Sequence, residues 1–380
     1  MKLFILVFTL LLSNCNSKYA THKTKEELAK EERELPQNGD SSSVASPVDY
    51  TSKADNKIRV ISYNVLKYGD GCQGPINILH NYLQRIVHYT SPDILGLVKV
   101  NAFKSPGDNS SEGPLGFADS ILDHALNKAY TGRYAACPVA NYSGGDNMNI
   151  LFYDKNKFGF SSMTNLCTAQ TDFNLYKLFV RKHTGPDSLF LYFILNHTKS
   201  GEESAKRDAQ ANCIIEILSK TFKKLPAMVN MGDFNLHDSE EPGYKALVSN
   251  PDEQHRFYDP PFALDKKVTS PANWTDEPQK YSSFLTTSTR ENKESPNACG
   301  TGGGAKLWFD HILLSQPLTL AANSIHYVPG SFHTIGNDGK RLGISANDEG
   351  TPNKAVPKDI ANAIFGFSNK YPVTLELEIK

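Results

Sequence analysis

The residues best able to do chemistry lie in five short runs of the chain. These runs are Ser62–Leu66, Asn196–Gly201, Met231–Asn235, Trp308–Leu313 and Ser368–Val373. Together they supply carboxylate, imidazole, amide and ammonium groups, which can move protons and hold an anion. No single run is decisive, because a Gly-Asp-Phe-Asn segment also fits a strand followed by a turn, and a lone histidine is more often structural.

The elements that must position these runs are predicted from hydrophobic periodicity. Alternating or short continuous apolar runs predict strands, and apolar residues on one helical face predict helices. The predicted strands are 58–65, 94–97, 149–153, 157–162, 189–196, 226–231, 307–314, 321–327 and 373–379, and the predicted helices are 76–87, 116–127 and 203–220. Residues 251–304 are polar and predict long loops. Many strands with few helices indicate an α/β fold of two stacked sheets flanked by helices.

Taken in order, the five runs resemble motifs of the endonuclease/exonuclease/phosphatase superfamily. The resemblance implies the four-layer deoxyribonuclease I-like sandwich and a metal-dependent phosphodiester hydrolysis that uses Mg or Mn. In the matching motifs Asn64 is the metal-proximal amide, Asp233 and Asn235 act at the phosphate, His197 contacts the phosphate, and Asp310 orients the catalytic histidine.

Three positions on which the family's metal-dependent chemistry relies are changed in this chain. Lys99 stands where the family has its metal-binding Glu, and Asn369 and Lys370 replace the Asp and His of a Ser-Asp-His-Tyr-Pro-Val motif. Divalent cations need hard oxygen ligands, chiefly carboxylates. The formal charges at the family's five charged or titrating positions add up to −4. At the matching positions of this chain, which are Lys99, Asp233, Asp310, Asn369 and Lys370, they add up to 0. We therefore expect no metal cofactor and no hydrolysis by the family mechanism.

The substituted cleft favours binding over catalysis. Ammonium groups can hold a phosphate, sulfate or acidic sugar as point charges. The predicted anion-binding residues are Asn64, Lys99, Lys199, Asn369 and Lys370. Two alternatives remain open: a metal-independent hydrolase in which Lys99 replaces the metal while Asp233 and His197 move protons, and a metal-dependent phosphodiesterase or nuclease that tolerates the changes.

The new lysines should have found carboxylate partners, because an unpaired buried ammonium costs several kcal/mol. Lys370 occupies the histidine position, so an Asp310–Lys370 ion pair is predicted. Lys99 is predicted to project into the former cation site near Asn64 and Asn369, with Asp233 as its nearest carboxylate.

Charge and the first residues set further expectations. Lys and Arg number 40 against 41 Asp and Glu, and this balance gives no support to a nucleic-acid partner. Residues 1–15 resemble a bacterial signal ending in a lipoprotein box, with Cys15 as the lipidated residue, and a simply cleaved signal is the alternative. Residues 16–56 predict a disordered tether before a domain at 57–380. An exported, membrane-anchored or secreted protein is expected.

Cysteine positions give a weaker expectation. The chain has six cysteines, and none of their spacings fits a zinc site. A Cys137–Cys167 disulfide is predicted. Cys213 is predicted to be a buried free thiol, because it lies beside Ile214 on the apolar face of the helix at 203–220.

Overall fold

The computed structural model describes residues 50, 53–102, 113–169, 171–181, 188–293 and 299–380. All of them belong to one compact unit, Val44–Lys380. The predicted signal and lipidation site, and most of the predicted tether, lie outside the described residues. Tyr50 is buried and its carbonyl accepts a hydrogen bond of 2.9 Å from Arg59, so the folded domain begins before residue 57.

The domain contains thirteen strands among the described residues, and they range from two to twelve residues in length. In chain order they are β1 (Lys57–Tyr68), β2 (Ile94–Asn101), β3 (Tyr134–Ala136), β4 (Asn147–Asp154), β5 (Phe158–Ala169), β6 (Thr171–Val180), β7 (Phe190–His197), β8 (Met228–Asp233), β9 (Phe257–Tyr258), β10 (Asp310–Ser315), β11 (Ile325–Tyr327), β12 (His333–Thr334) and β13 (Val373–Ile379).

The helices cover the outer faces and the connections. They are α1 (Ile76–Thr90), α2 (Gly113–Ile121), α3 (Asn127–Ala129), α4 (Ser204–Thr221), α5 (Pro242–Val248), α6 (Gln316–Thr319) and α7 (Lys358–Phe367). Two π-helical turns lie at Leu122–Leu126 and Pro260–Leu264, and two 3-10 turns at Glu253–His255 and Pro278–Tyr281. Within the described part of the chain, no helix is both long and apolar enough to span a bilayer.

Two sheets form the centre of the domain. The first has the order β11-β13-β1-β2-β4-β3, with β12 also beside β13, and the second has the order β5-β6-β7-β8-β10-β9. Strand β1 is almost wholly buried, as is β8, because side chains cover both faces of each sheet. The predicted α/β fold of two stacked sheets flanked by helices is confirmed.

The predicted elements form close to their predicted positions, and several shorter elements were missed, among them β9, β12 and α6. Helix α1 buries Leu79, Leu83 and Ile86 on the predicted face. Strands β3 and β6 and helices α5 and α7 were not predicted. Helix α7 is the missed element that matters most, because it leads directly into Asn369 and Lys370.

The cysteine predictions are wrong. Cys167 of β5 pairs with Cys213 of α4, with their Cα atoms 6.4 Å apart, and Cys72 pairs with Cys299 at 5.8 Å. Cys137 is the buried free thiol. Cys137 follows β3 in the first sheet, where its N–H donates to the Leu151 carbonyl, whereas Cys167 lies in the second sheet next to α4.

Candidate functional site

Three strand ends of the second sheet bring their polar residues to one edge. His197 ends β7, Asp233 ends β8, and Asp310 begins β10. Strands β7 and β8 are parallel and β8 and β10 are antiparallel, so His197 lies opposite Asp233 and Asp233 opposite Asp310. The imidazole and both carboxylates therefore lie on neighbouring strands, although they are far apart in the sequence.

The first sheet supplies the facing half of the site. Asn64 lies in β1 and Lys99 in β2, while Asn369 and Lys370 lie between α7 and β13. The Asn64 side-chain amide donates a hydrogen bond of 2.7 Å to Oδ2 of Asp233, and this bond joins the two sheets. The Ser368 hydroxyl donates to the Asn64 carbonyl at 2.8 Å. The sequence-predicted residues Asn64, Asp233, Asn369 and Lys370 are thus parts of one cluster.

Lys370 pairs with Asp233, so the predicted Asp310–Lys370 ion pair is wrong. Its Nζ lies 3.1 Å from Oδ2 of Asp233, and both side chains are buried. The same ammonium stands over the Phe309 ring, 4.5 Å from its centroid, which adds a cation–π contact. A β-bridge between Lys370 and Thr287 holds the Lys370 backbone beside the segment that precedes β10.

Asp233 is fully occupied by protein donors. Its Oδ1 accepts from the Asn235 backbone N–H at 3.0 Å, and its Oδ2 accepts from Asn64 and Lys370. Burial acts to raise the pKa of this carboxyl, but the ammonium of Lys370 and the other favourable partners outweigh burial and lower the pKa. Asp233 is therefore held in its charged form.

Asp310 has the opposite environment. The side chain is fully buried, and the polar side chain beside its carboxyl is the Thr286 hydroxyl, which acts to lower the pKa of Asp310. Burial, followed by the charge of Asp233 on the neighbouring strand, raises the pKa of Asp310 well above its usual value. Two adjacent carboxyl groups in one buried site cannot both be charged cheaply, so the pKa rises at Asp310, the one that lacks an ammonium partner.

Of the two lysines in the cluster, Lys99 is the one for which no carboxylate of the described residues lies within ion-pair distance. Its backbone has φ of 64°, a left-handed conformation that side chains seldom adopt and that turns the end of β2. Burial, then the nearby Lys370, lowers the pKa of Lys99, and Asp233 acts in the opposite direction. Lys99 thus lies within electrostatic reach of Lys370 and Asp233, and it is only partly buried.

His197 is a neutral imidazole in this setting. It is partly buried and its Nδ1 has no hydrogen-bond partner. Burial, followed by Lys99, lowers the pKa of His197 to about 4. An imidazole with that pKa accepts a proton poorly at neutral pH but can still donate one hydrogen bond from its N–H.

Three predicted residues are engaged elsewhere. Asn235 donates its side-chain amide to the Thr198 carbonyl at 3.0 Å. Lys199 forms an ion pair of 2.8 Å with Glu203, and both of these side chains are solvent-accessible. Asn369 donates to the Thr301 hydroxyl at 2.8 Å, while its Oδ1 has no partner.

The cation that the resemblance implies does not fit these donors. Mg²⁺ and Mn²⁺ need several oxygen ligands. Both oxygens of Asp233 already accept hydrogen bonds, and Lys370 stands beside Asp233 where its ammonium would repel a cation. In the described part of the chain no three His, Cys, Asp or Glu side chains are grouped closely enough to hold a metal ion.

An acidic cavity lies on the other side of Phe309. The His237 ring is 5.6 Å from the Phe309 ring and lines a cavity of about 470 Å³. Five acidic side chains also line it, Glu202, Asp238, Glu240, Glu241 and Asp276, and of these Glu241 is paired with Arg207. These carboxylates would repel an anion, so an anion is expected on the lysine side of Phe309. Phe309 separates the lysine cluster from the acidic cavity. Sequence reasoning did not predict this role, although Phe309 directly precedes Asp310.

Sequence comparisons give no match, whereas structural comparisons do. No protein-family model and no curated protein matches the sequence. A humanised D. rerio TDP2 shares 16% identity over 85% of this chain and 99% of its own, with a TM-score of 0.50. An endonuclease/exonuclease/phosphatase family protein from Bacteroides thetaiotaomicron shares 15% identity. The match covers 85% of this chain and 98% of that protein, with a TM-score of 0.49. The human Nocturnin catalytic domain with bound sulfate shares 14% identity. The match covers 86% of this chain and 95% of that domain, with a TM-score of 0.47.

The fold is that of the endonuclease/exonuclease/phosphatase superfamily, the deoxyribonuclease I-like sandwich that the sequence motifs predicted. Proteins with this fold include nucleases and phosphatases. At such low identity the likeness concerns the fold, and the activity of this chain has to be argued from its own site.

Proposed function

We propose that this protein binds an anionic ligand and does not hydrolyse phosphoesters. The observation that carries the proposal is the 3.1 Å ion pair between Lys370 and Asp233. It places an ammonium on the carboxylate that the family uses at the phosphate, so Asp233 is not free to activate water or to hold a cation. Asp310 lies opposite Asp233 on β10, and burial together with the charge of Asp233 raises the pKa of Asp310.

The charge balance of the cluster supports an anion as the ligand. Lys99 and Lys370 bring two ammonium groups to the cluster, Asp233 is held in its charged form, and burial raises the pKa of Asp310, which favours its uncharged form. The inner cluster is therefore positive. Burial and Lys370 lower the pKa of Lys99, so an anion beside it would offset the repulsion between the two ammonium groups and raise that pKa again. Phosphate, sulfate and acidic sugars share the oxyanion or carboxylate group that an ammonium recognises.

The binding test uses inorganic phosphate and sulfate with the purified full chain in a calorimetric titration. Lys99→Met keeps the length of the side chain and removes the charge, and it should weaken binding at least about tenfold. Lys220→Met removes an exposed ammonium that pairs with Glu216, and it should leave binding unchanged. Equal affinity in wild type and Lys99→Met, or no binding of either anion, contradicts the proposal.

A turnover assay separates the proposal from the two hydrolase alternatives. A chromogenic phosphodiester and the matching phosphomonoester are incubated with the protein in excess chelator and in Mn²⁺. No turnover is expected in either condition. Turnover in chelator that is lost in His197→Gln would favour the metal-independent hydrolase. Turnover in Mn²⁺ alone that is lost in Asp233→Asn would favour the metal-dependent enzyme.

We also propose that the protein is exported and anchored through Cys15. The signal-like residues 1–15 support this, and so do the two disulfides, since such bonds persist in oxidising compartments. Mass spectrometry of the N-terminal peptide from membrane fractions provides the test. A diacylglycerol-modified Cys15 is expected, and its loss in Cys15→Ala should release the protein. An unprocessed N-terminus in the soluble fraction would contradict this location.

A further inference from the structure

The Cys72–Cys299 disulfide lies next to the candidate anion site. Cys72 follows the end of β1 and is exposed, whereas Cys299 is buried. The bond joins residues 227 positions apart in the sequence. It therefore holds the segment Cys299–Thr301 against the strand end that carries Asn64.

This segment contacts Asn369 directly. The Thr301 hydroxyl accepts a hydrogen bond of 2.8 Å from the Asn369 side-chain amide. Gly300 has φ of 83°, and a Cβ atom added there would lie 2.7 Å from Cγ of Asn369 and 2.9 Å from a methyl group of Leu66. Only glycine allows so close an approach, so the segment closes one side of the Asn369 side chain.

The contact with Thr301 sets what Asn369 offers to a ligand. Oδ1 of Asn369 is buried and has no partner. A hydroxyl can both donate and accept, so rotating the amide by half a turn preserves the Thr301 contact. In that orientation the amide nitrogen replaces the unpaired oxygen and can donate to an anion. Thr301 thus fixes the plane of the amide while allowing it to present a donor.

Other bonds hold the segment from its inner side. The buried Arg290 donates to the Cys299 carbonyl at 2.8 Å, and the Ser288 hydroxyl donates to the Thr301 carbonyl at 2.7 Å. Each such bond contributes only about 1 kcal/mol net. The disulfide is the covalent link between this segment and the β1 end, and its Cys72 end is open to solvent.

We propose that the Cys72–Cys299 disulfide, acting through Thr301, positions Asn369 for anion binding and makes the affinity of the site sensitive to dithiol reductants. This inference rests on the proposed anion-binding function. A reductant thiolate attacks the exposed Cys72 sulfur, the S–S bond breaks, and Cys299 leaves as a thiolate that takes up a proton. The second reductant thiol then releases Cys72 and forms the reductant's own disulfide, so two electrons pass to the protein.

The binding test compares oxidised and dithiothreitol-treated full chain in phosphate titrations. Cys72→Ser with Cys299→Ser should lower phosphate affinity at least about tenfold, as loss of a hydrogen bond to a charged ligand would. The matched control is Cys167→Ser with Cys213→Ser, which removes the other disulfide and should leave affinity unchanged. Thr301→Val should reproduce the loss, and Thr301→Ser should restore affinity. Equal losses in the two disulfide variants would overturn the proposal.

Reducing the disulfide in wild type and in Asn369→Ala forms a double-mutant cycle. This cycle distinguishes positioning of Asn369 by the disulfide from a general loosening of the fold. If the disulfide acts through Asn369, reduction should change affinity by less than about twofold in the Asn369→Ala background. Undiminished sensitivity to reduction in that background would overturn the inference.

Hydrogen exchange followed by mass spectrometry gives a readout that needs no ligand. Reduction of Cys72–Cys299 should speed exchange in the peptides that contain Thr301 and Lys370, and loss of Cys167–Cys213 should not. Unchanged exchange in those peptides overturns the inference. If the oxidised protein binds neither phosphate nor sulfate, the proposed function fails, and the exchange result still decides whether the disulfide orders this segment.

Discussion

The ammonium of Lys370 lies 3.1 Å from the carboxylate of Asp233, and both side chains are buried. This pair joins the segment after α7 to the end of β8 and connects the edges of the two sheets. A buried pair of this kind is costly to break, because either partner left alone keeps its desolvation penalty.

Lys370→Met should destabilise the fold by about 3–5 kcal/mol at neutral pH. The variant leaves the buried Asp233 carboxylate without its ammonium, which raises the pKa of that carboxyl. The loss should therefore shrink as the pH falls and the carboxyl becomes protonated. Urea unfolding from pH 4 to 7 measures this, with Lys220→Met as the exposed control expected within about 0.5 kcal/mol. A loss that is constant over this range would contradict the assigned pair.

Asp310→Asn and Asp233→Asn should have very different costs. Asp310 is held in its neutral form, so an amide of the same shape should change stability by no more than about 1 kcal/mol. Asp233 is charged and paired, so its replacement should cost about 3–5 kcal/mol by leaving Lys370 buried and alone. Denaturant unfolding at pH 7 compares the two. A larger loss in Asp310→Asn would mean that Asp310, not Asp233, carries the charge.

His197 should titrate near pH 4, because burial and Lys99 lower its pKa to about 4 from its usual 6.5. Between these two values the unfolded chain binds the proton and the folded chain does not. The stability contribution of the neutral imidazole is therefore lost as the pH falls from about 6.5 to 4. An NMR titration of the His197 ring protons measures the midpoint directly, with the exposed His124 as the internal comparison. A midpoint above 6 would contradict the burial and the charges assigned to this ring.

The triple change Lys99→Glu, Asn369→Asp and Lys370→His should create a cation site. It removes two ammonium groups and adds two carboxylates beside Asp233 and Asp310, which restores oxygen ligands suited to Mn²⁺. Calorimetric titration with Mn²⁺ should show binding in the variant and none in the wild type. A stably folded variant that does not bind Mn²⁺ would show that further positions of the site have diverged.

Disulfide mapping should find Cys72 bridged to Cys299 and Cys167 bridged to Cys213, with Cys137 as a free thiol. Burial raises the pKa of the Cys137 thiol, so the native protein should resist alkylation there and the denatured protein should accept it. Peptide mass spectrometry after alkylation under each condition measures both. Alkylation of Cys167 or Cys213 in the denatured, unreduced protein would contradict the second bridge.

Much of the fold could be predicted from the sequence, because its signals are local. The apolar periodicity of β1 and α1 depends on a few neighbouring residues, and the five motifs identify the fold by their order. The substitutions at Lys99, Asn369 and Lys370 are also visible in the sequence, since their framing residues keep the family pattern.

What the sequence by itself determined is which chemical groups stand at the ends of the strands. The tertiary structure alone decided which groups pair, because pairing depends on the strand order that places β8 between β7 and β10. That order sets Asp233 between His197 and Asp310, and the chain after α7 brings the Lys370 ammonium to Asp233. The pairing of the cysteines likewise depends on the tertiary structure. Cys167 and Cys213 meet because α4 packs near β5, and hydrophobic periodicity carries no information about that long-range contact.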